Sequence, residues 1–413
     1  MEGNQCETYR PPIREVPLTL KGRKNYDRYF KPRAVSIGPL HHGKDELAPA
    51  EKFKERLVAE FIKASGRTKD FLHQMIEKDI ERFKDCYEKK VIRKYSNEKL
   101  AQILFVDGCA VLQFIHYKKL EKLKQHNIKN DLAAFAAQDL FLLENQLPFE
   151  VLDLLMNHSE HGVDLRESIQ HFVDMNMAVH PKEGLNLYSQ PTHLLDLLRT
   201  RLLLPHEGNL DVAIDIPVSK WPTFRNIMEL KAAGIHVKRS NTSCLKDTHF
   251  KSRFLKAILE LPSMIVDDST APKFLNLVAY EMCPEFPNEF EVSSYLCFMD
   301  SLIDHPEDVK ELRKANILHN LLGSDEEVST LFNEISTDLV PNPNAYSFVK
   351  QQIQLHYDKT WKTWIAQGYH DHFSSPWTFL AFMAAIIGLI LSFIQALPSL
   401  KPDHCLKVCT NHP

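Results

Sequence analysis

Residues 97–123, NEKLAQILFVDGCAVLQFIHYKKLEKL, decide the fold class. Ser96 stands before them as an N-cap, since its hydroxyl can accept from a first-turn N–H that has no partner within the helix. Between Leu100 and Ile115 the apolar residues run nearly all the way round, leaving no polar face. A helix of that kind is buried on every side. These residues are expected to be the central helix of a mainly α body.

Working outward, further helical signals appear on both sides. Asp131 is placed to cap a helix carrying Leu132, Phe135, Leu140 and Leu143, and Pro148 suits the first turn of another over 148–156. Pro306 starts a helix whose Glu307 and Asp308 complement its dipole. Ser324 to Glu327 form a capping box, followed by Val328, Leu331, Phe332 and Ile335 on one stripe. Tyr346, Val349, Ile353, Tyr357, Thr360 and Trp364 share one face of a long helix expected over 344–368. Residues 157–192 are polar and read as a loop. Residues 234–238 alternate in period two, and 254–261 and 263–266 are short and apolar. They predict a small antiparallel β element of two or three strands near 234–267.

The chain has 413 residues, 44% hydrophobic and 25% charged, which is a globular balance. A net charge of −4 provides no field for nucleic acid. Eight cysteines without a Cys-x-x-Cys do not make a disulfide scaffold. The N-terminus stays polar through Pro12, so no cleaved signal peptide is read, and Glu2 excludes N-myristoylation. Residues 1–28 are expected to be a flexible arm with a basic cluster at Lys21, Arg23, Lys24 and Arg28, and 29–375 to be one helical domain.

Residues 377–397, WTFLAFMAAIIGLILSFIQAL, carry no charge and lie between Pro376 and Pro398. As a helix they would span about 30 Å, the thickness of bilayer hydrocarbon. A single transmembrane helix over 376–398, with lipid as its partner and a short tail over 399–413, is the expectation. Sixteen residues follow the stretch, which favours tail insertion and a cytosolic body. The sequons at Asn157 and Asn241 would be glycosylated only if the body were lumenal, and Cys405 or Cys409 is a juxtamembrane palmitoylation candidate.

Candidate chemistry is sparse. Residues 38–45, GPLHHGKD, approach a phosphate-binding loop after the strand-like run 34–37. Pro39 removes a cradling amide, however, and Asp45 replaces the hydroxyl that would meet magnesium, so nucleotide binding is not expected. The pair His41-His42 diverges too readily to chelate, and no His-Glu-x-x-His is present. His158 and His161 fall in the polar stretch. His404, Cys405, Cys409 and His412 match zinc ligands by type, on a tail too short to orient them. Asp107, Asp139, Glu144, Asp267 and Asp268 sit in or beside apolar runs, where acids are usually tied into hydrogen-bond networks. There is no Gly-x-Ser-x-Gly elbow, and Cys86 and Cys109 read as packed. No cofactor or metal is expected.

Several phrases occur in a fixed order: PRAVSIGPLHHG (32–43), VDGCAVL (106–112), DLFLLENQLPF (139–149), ELKAAGI (229–235), VDDST (266–270), NLVAYEMC (276–283), FMDSLI (298–303) and NLLGSDEEV (320–328), before the Pro376-Trp377 opening of the span. Together they resemble the plant domain of unknown function 247 family, over about 30–397. Departures fall at Leu40, Ala110, Gln113 and Glu150, where the family usually has an aromatic, an aromatic, a glutamate and an apolar residue. The resemblance implies a plant protein with a mostly helical body and one C-terminal span, placed at the plasma membrane. It implies no established activity or cofactor. Some relatives are associated with self-incompatibility recognition in grasses, which implies sensing of a ligand or protein partner. The leading expectation is a non-enzymatic interaction, recognition or signalling component with an unknown protein partner. A hydrolase using a carboxylate pair and a passive structural anchor are the alternatives. His41, His42, Asp107, Glu144, Asn145, Gln146, Asp267 and Asp268 are the polar residues expected to matter, mostly as structural ties.

Overall fold

A computed structural model describes residues 11–177, 190–204, 225–252, 257–357 and 376–396. Two short helices, α1 (Leu18–Lys21) and α2 (Tyr26–Phe30), precede α3 (Ala48–Ser65), α4 (Lys69–Lys78), α5 (Ile80–Asp85) and α6 (Lys89–Ile92). The quoted stretch forms α7 (Asn97–Lys119), with the Ser96 hydroxyl accepting from the Lys99 N–H at 3.2 Å. α7 is long and apolar enough to cross a membrane, but 83% of its most apolar stretch is buried by the rest of the body. It is a core helix. α3 and α4 pack on it, as do α9 (Phe149–Asn157) and α10 (Gly162–Met175), which follow α8 (Asn130–Asp139). Gly108 permits the approach of α9: a Cβ there would lie 2.7 Å from Leu155 Cδ1.

The second half begins with α11 (Leu194–Leu203) and α12 (Ile227–Ala232), then strands β1 (Ile235–Arg239), β2 (His249–Ser252), β3 (Ala257–Leu261) and β4 (Met264–Val266). Next come α13 (Thr270–Glu281), α14 (Glu291–Leu302), α15 (Pro306–Lys314), β5 (Leu318–Asn320), α16 (Asp325–Ser336) and α17 (Ser347–Tyr357). α13 packs against α2, α11, α14 and α16 and so joins the halves. One hydrophobic cluster runs from Ile13 to Val349. α18 (Pro376–Ala396) is the last described element.

Several expectations need correction. The β element is not simply antiparallel. β3 lies between the other two strands of its sheet, parallel to β1 with Ile235 opposite Ala257, and antiparallel to β2 with His249 opposite Glu260. β4 pairs in parallel with the distant β5, Met264 opposite Leu318. Period-two alternation marks a strand but says nothing of its direction, which the connections set. Residues 254–256 of the expected 254–261 strand lie outside the described residues.

The 157–192 stretch is not all loop, because α10 occupies much of it. Leu165, Ile169, Phe172 and Val173 form a narrow buried stripe among polar neighbours. Residues 178–189 are outside the described set. α8 starts one residue before Asp131, which sits in its first turn rather than at its cap. The helix expected over 344–368 begins at Ser347, and 358–375 are outside the described residues.

The expected flexible arm is docked over residues 11–30. Ile13, Val16, Leu20, Tyr29 and Phe30 are buried. The Ile13 N–H donates to Cys86 O at 2.8 Å, and the Glu88 N–H donates to Ile13 O at 3.0 Å. The basic cluster is partly engaged too: Arg23 donates to the carbonyls of Glu334 (2.7 Å) and Ile335 (3.2 Å) in the last turn of α16. Ile13, Val16 and Leu20 fall at helical spacing, but Pro11, Pro12 and Pro17 interrupt residues 11–21, of which only Leu18–Lys21 is helical, so the spacing does not mark one amphipathic helix. Residues 1–10 lie outside the described set.

His193 caps α11, its Nδ1 accepting from the Asp196 N–H at 3.1 Å, with the ring edge-on to Tyr280. Complete burial lowers its pKa from 6.5 to about 4. An imidazole kept neutral in the folded state but free to protonate when unfolded favours unfolding as pH falls. Its contribution is full above pH 6.5 and is lost toward pH 4. Relative to His193→Asn, which retains a capping acceptor, the native chain is expected to lose about 1.4 kcal/mol per pH unit across that window in urea titrations. Ile13→Ala is expected to cost about 2–5 kcal/mol. An unchanged urea midpoint for that variant would mean the segment is a free arm.

Candidate functional site

Residues 35–37 have no regular structure and lie between bends at Arg33–Ala34 and at Gly38; Val35 to Gly38 are buried, and among the described residues no strand pairs with them. Their buried amides therefore need side-chain acceptors. Asp139, ending α8, accepts from the N–H groups of Arg33 (3.0 Å), Ala34 (2.7 Å) and Val35 (2.9 Å). Asn145 accepts from the Ile37 N–H at 2.7 Å and donates to Val35 O and Asp139 O. Asp107, on α7, accepts from the Gly38 N–H at 2.8 Å and from Lys54 Nζ at 2.6 Å. Lys54, on α3, also donates to Ser36 O at 2.8 Å and pairs with Glu51 at 2.7 Å. The run 34–37 is thus a strap held by side chains rather than a strand.

The neighbouring turn supplies the remaining ties. Gln146 donates to Leu140 O and Leu142 O, both at 2.8 Å, and its carbonyl accepts from Tyr87. Gly38 has φ +74°, and a Cβ there would lie 2.5 Å from Gln146 O, so the turn requires glycine. Glu144 accepts from the Val16 N–H at 2.8 Å, which fixes the docked N-terminal segment. Asn276 on α13 accepts from the Leu143 N–H and donates to Tyr29 O, both at 2.8 Å.

Electrostatics follow from burial. Desolvation pushes Asp107 up to about 6 against the pull of Lys54 and the Gly38 amide. Burial also pushes Asp139 up to about 6, opposed by its three amide donors. Burial lowers His42 and holds the Cys109 thiol well above its ordinary range.

His41 and His42 do diverge. His42 lines a cleft of about 440 Å³ with Glu51, Lys99, Gln102 and an edge of Asp107, and its buried Nδ1 has no hydrogen-bond partner. His41 lines a second cleft, of about 340 Å³, together with Glu144. Its Nε2 stands 3.1 Å from Glu144 Oε2, a contact without hydrogen-bond alignment.

Asp267 and Asp268 are elsewhere. Asp267 accepts from the Ser269 N–H at 2.9 Å beside the start of α13, and Asp268 is exposed, 3.9 Å from Arg28. Asn157 ends α9 and accepts from Arg166, while Asn241 is exposed after β1. Cys405 and Cys409 lie outside the described residues. Among the described residues no group of three or more His, Cys, Asp or Glu is placed to hold a metal. His158 bonds back to Leu154 O, and His161 precedes α10.

The acids of the strap do not converge on one point. Each is committed to different backbone amides, the arrangement of a clamp rather than of an acid–base pair. Other members were missed from sequence. Lys54 shares its amphipathic helix with two surface lysines, Lys52 and Lys63, and nothing marked its position as the one facing Asp107. Glu281 accepts from Val292 and Ser293 at the start of α14, and Asp308 accepts from Met228 and His305. Glu150, one of the departures, pairs with Arg82 at 2.8 Å.

Comparison with known proteins agrees with this pattern of motifs. The DUF247 family, described as plant protein of unknown function, matches residues 13–391. UPF0481 protein At3g47200 of Arabidopsis thaliana is 29% identical, covering 95% of this chain and 85% of that protein. A second Arabidopsis thaliana UPF0481 protein, At3g02645, is 22% identical, covering 96% of this chain and 91% of its own. No solved structure matches.

If the strap is a structural clamp, Asp107→Ala should cost about 3–5 kcal/mol, because it strands the buried Lys54 charge. Asp107→Leu combined with Lys54→Met should restore much of that loss. Urea midpoints check both, and unchanged stability in Asp107→Ala would refute the clamp.

Proposed function

We propose that this chain, which belongs to the DUF247 family of plant proteins of unknown function, is a membrane-anchored binding protein. Its helical body recognises a ligand or partner, and its last helix holds that body at a bilayer. The observation that carries the reading is α18. Its 21 residues have no charge, and among its described side chains Leu389 is 71% exposed and Ile387, Ile390 and Leu391 are more than half exposed. Apolar surface of that extent is unfavourable in water, and the length suits a hydrocarbon core of about 30 Å. Binding rather than catalysis is supported by the commitment of Asp107, Asp139 and Glu144 to backbone amides, beside two open clefts. We place the protein as single-pass at the plasma membrane, with the body cytosolic.

Carbonate washing of membranes carrying the full chain tests the anchor. The full chain should remain in the pellet, and a chain lacking 377–397 should move to the supernatant. Release of the full chain would overturn the anchor. Protease added to sealed microsomes should digest the body and leave Asn157 and Asn241 unglycosylated. A protected body with both sequons occupied would reverse the sidedness.

A further inference from the structure

We propose that the cleft floored by His41 and Glu144 binds a small, multiply phosphorylated anion. The inference rests on reading the body as a binding protein, and it adds the chemical class of the ligand. Lys21, Lys31, Lys44, Lys90 and Lys94 line this cleft, against two carboxylates, Glu15 and Glu144. A chain of net charge −4 therefore concentrates positive charge at one concave place. The lysines come from different parts of the fold: α1, the end of α2, the turn after the strap, and α6 with the residues that follow it. The tertiary fold is what brings them together, since no single basic run supplies them all.

The pairing state of these lysines leaves room for a ligand. Lys44 and Lys94 make no ion pair with a carboxylate among the described residues. Lys21 pairs with Glu15 at 2.8 Å, Lys31 with Asp27 at 2.6 Å, and Lys90 with Glu88 at 3.3 Å. Those pairs are solvent-accessible, so a multivalent anion can compete for the ammonium groups. Glu144 is not a competitor of the same kind, because the Val16 N–H already holds one of its oxygens.

The floor is built rather than incidental. His41 is 3% exposed, and its Nδ1 lies 2.6 Å from Lys44 Nζ. Ammonium has only protons to give, so Nδ1 is the acceptor and the ring proton sits on Nε2. That buried Nε2–H has only the poorly aligned Glu144 contact. A buried donor without a good acceptor, in a cleft lined by lysines, suits an oxygen-rich anion.

The residue types narrow the class. Among the described residues no arginine lines the cleft, so none of them brings the planar fork that recognises a carboxylate edge. Compact ammonium charges suit phosphate oxygens instead. A volume of about 340 Å³ falls in the range of small-molecule sites and exceeds what one inorganic phosphate needs. A phosphorylated organic body with several phosphates matches both charge and size. A soluble polyphosphate and a lipid headgroup share this chemistry, and the experiment separates the two.

The test uses the full chain in phosphatidylcholine nanodiscs, titrated calorimetrically with inositol hexakisphosphate, with citrate as the carboxylate control. The phosphate probe should bind and citrate should not compete. Lys44→Gln with Lys94→Gln should weaken the probe by about tenfold or more, the effect of removing two charge-assisted contacts. Lys63→Gln, outside the cleft, should leave binding unchanged. Equal melting temperatures without probe would show that the double variant is folded. No binding up to about 1 mM, a free energy of only about 4 kcal/mol, would overturn the proposal. So would equal binding by the double variant. Adding phosphatidylinositol bisphosphate to the discs identifies a lipid headgroup if it displaces the probe and a soluble ligand if it does not. Loss of the site with carbonate resistance intact refutes this inference alone, and the reverse refutes the anchor alone.

Discussion

The buried run from Val35 to Gly38, entered through Arg33 and Ala34, has no paired strand among the described residues, and the placement of much of the body follows from satisfying its amides. A buried amide without an acceptor costs about 1–3 kcal/mol, so leaving several unpaired would consume most of a domain's stability. Asp139, Asn145 and Asp107 provide the acceptors from three separate places: the end of α8, the turn after it, and the middle of α7. Because each acceptor is aimed at particular amides, a one-residue slip of the strap would break the set. The same turn reaches α13 through Asn276 and the docked N-terminal segment through Glu144. Hydrophobic burial makes the body collapse, and this polar network selects how its parts align.

The Lys54–Asp107 pair shows the tension in that solution. Both side chains are 1% exposed, so each has surrendered its hydration. A buried ion pair is a weak source of net stability, because the attraction offsets a desolvation loss of several kcal/mol per ion. Here each ion also bonds to strap backbone, Asp107 to the Gly38 N–H and Lys54 to Ser36 O. The charge is therefore spread over directional contacts that only one chain path can make. Burial raises Asp107 toward neutrality, and Lys54 with the Gly38 amide opposes it.

Much of the helical frame was legible because strong local signals coincided with burial. Ser96 and Ser324 cap as their positions suggest, and the absence of a polar face on α7 identified the central helix. The failures have distinct causes. Strand direction in β1–β3 depends on connections, not alternation. β5 has three residues, too few for a pattern, and its partner β4 is far away in sequence. α10 carries its four-residue stripe within a polar stretch, and Ile13, Val16 and Leu20, though helically spaced, are interrupted by Pro17 and form no continuous helix that would announce docking. The candidate site divides in the same way. The acids beside apolar runs stood out, but which amide each would meet did not, since the partners are as far as 128 residues away. The lysine-lined cleft was invisible, because its charges are scattered along the chain and look individually like ordinary surface residues.

The divergence of His41 and His42 links the scaffold to the clefts. Two adjacent residues of the turn after the strap line two separate cavities, so that turn forms part of the wall between them. A wall fixed by buried hydrogen bonds holds its side chains in place before any ligand arrives, which reduces the ordering loss on binding. Asp107 contributes to this twice, anchoring Gly38 while its edge lines the cleft on the His42 side. Glu144 does the same on the His41 side, anchoring Val16 beneath the other cleft. The residues that hold the chain path are therefore the ones that shape its recesses. A substitution that loosens the strap should alter both clefts together, whereas one at a cleft lysine should alter binding and leave the fold as it was.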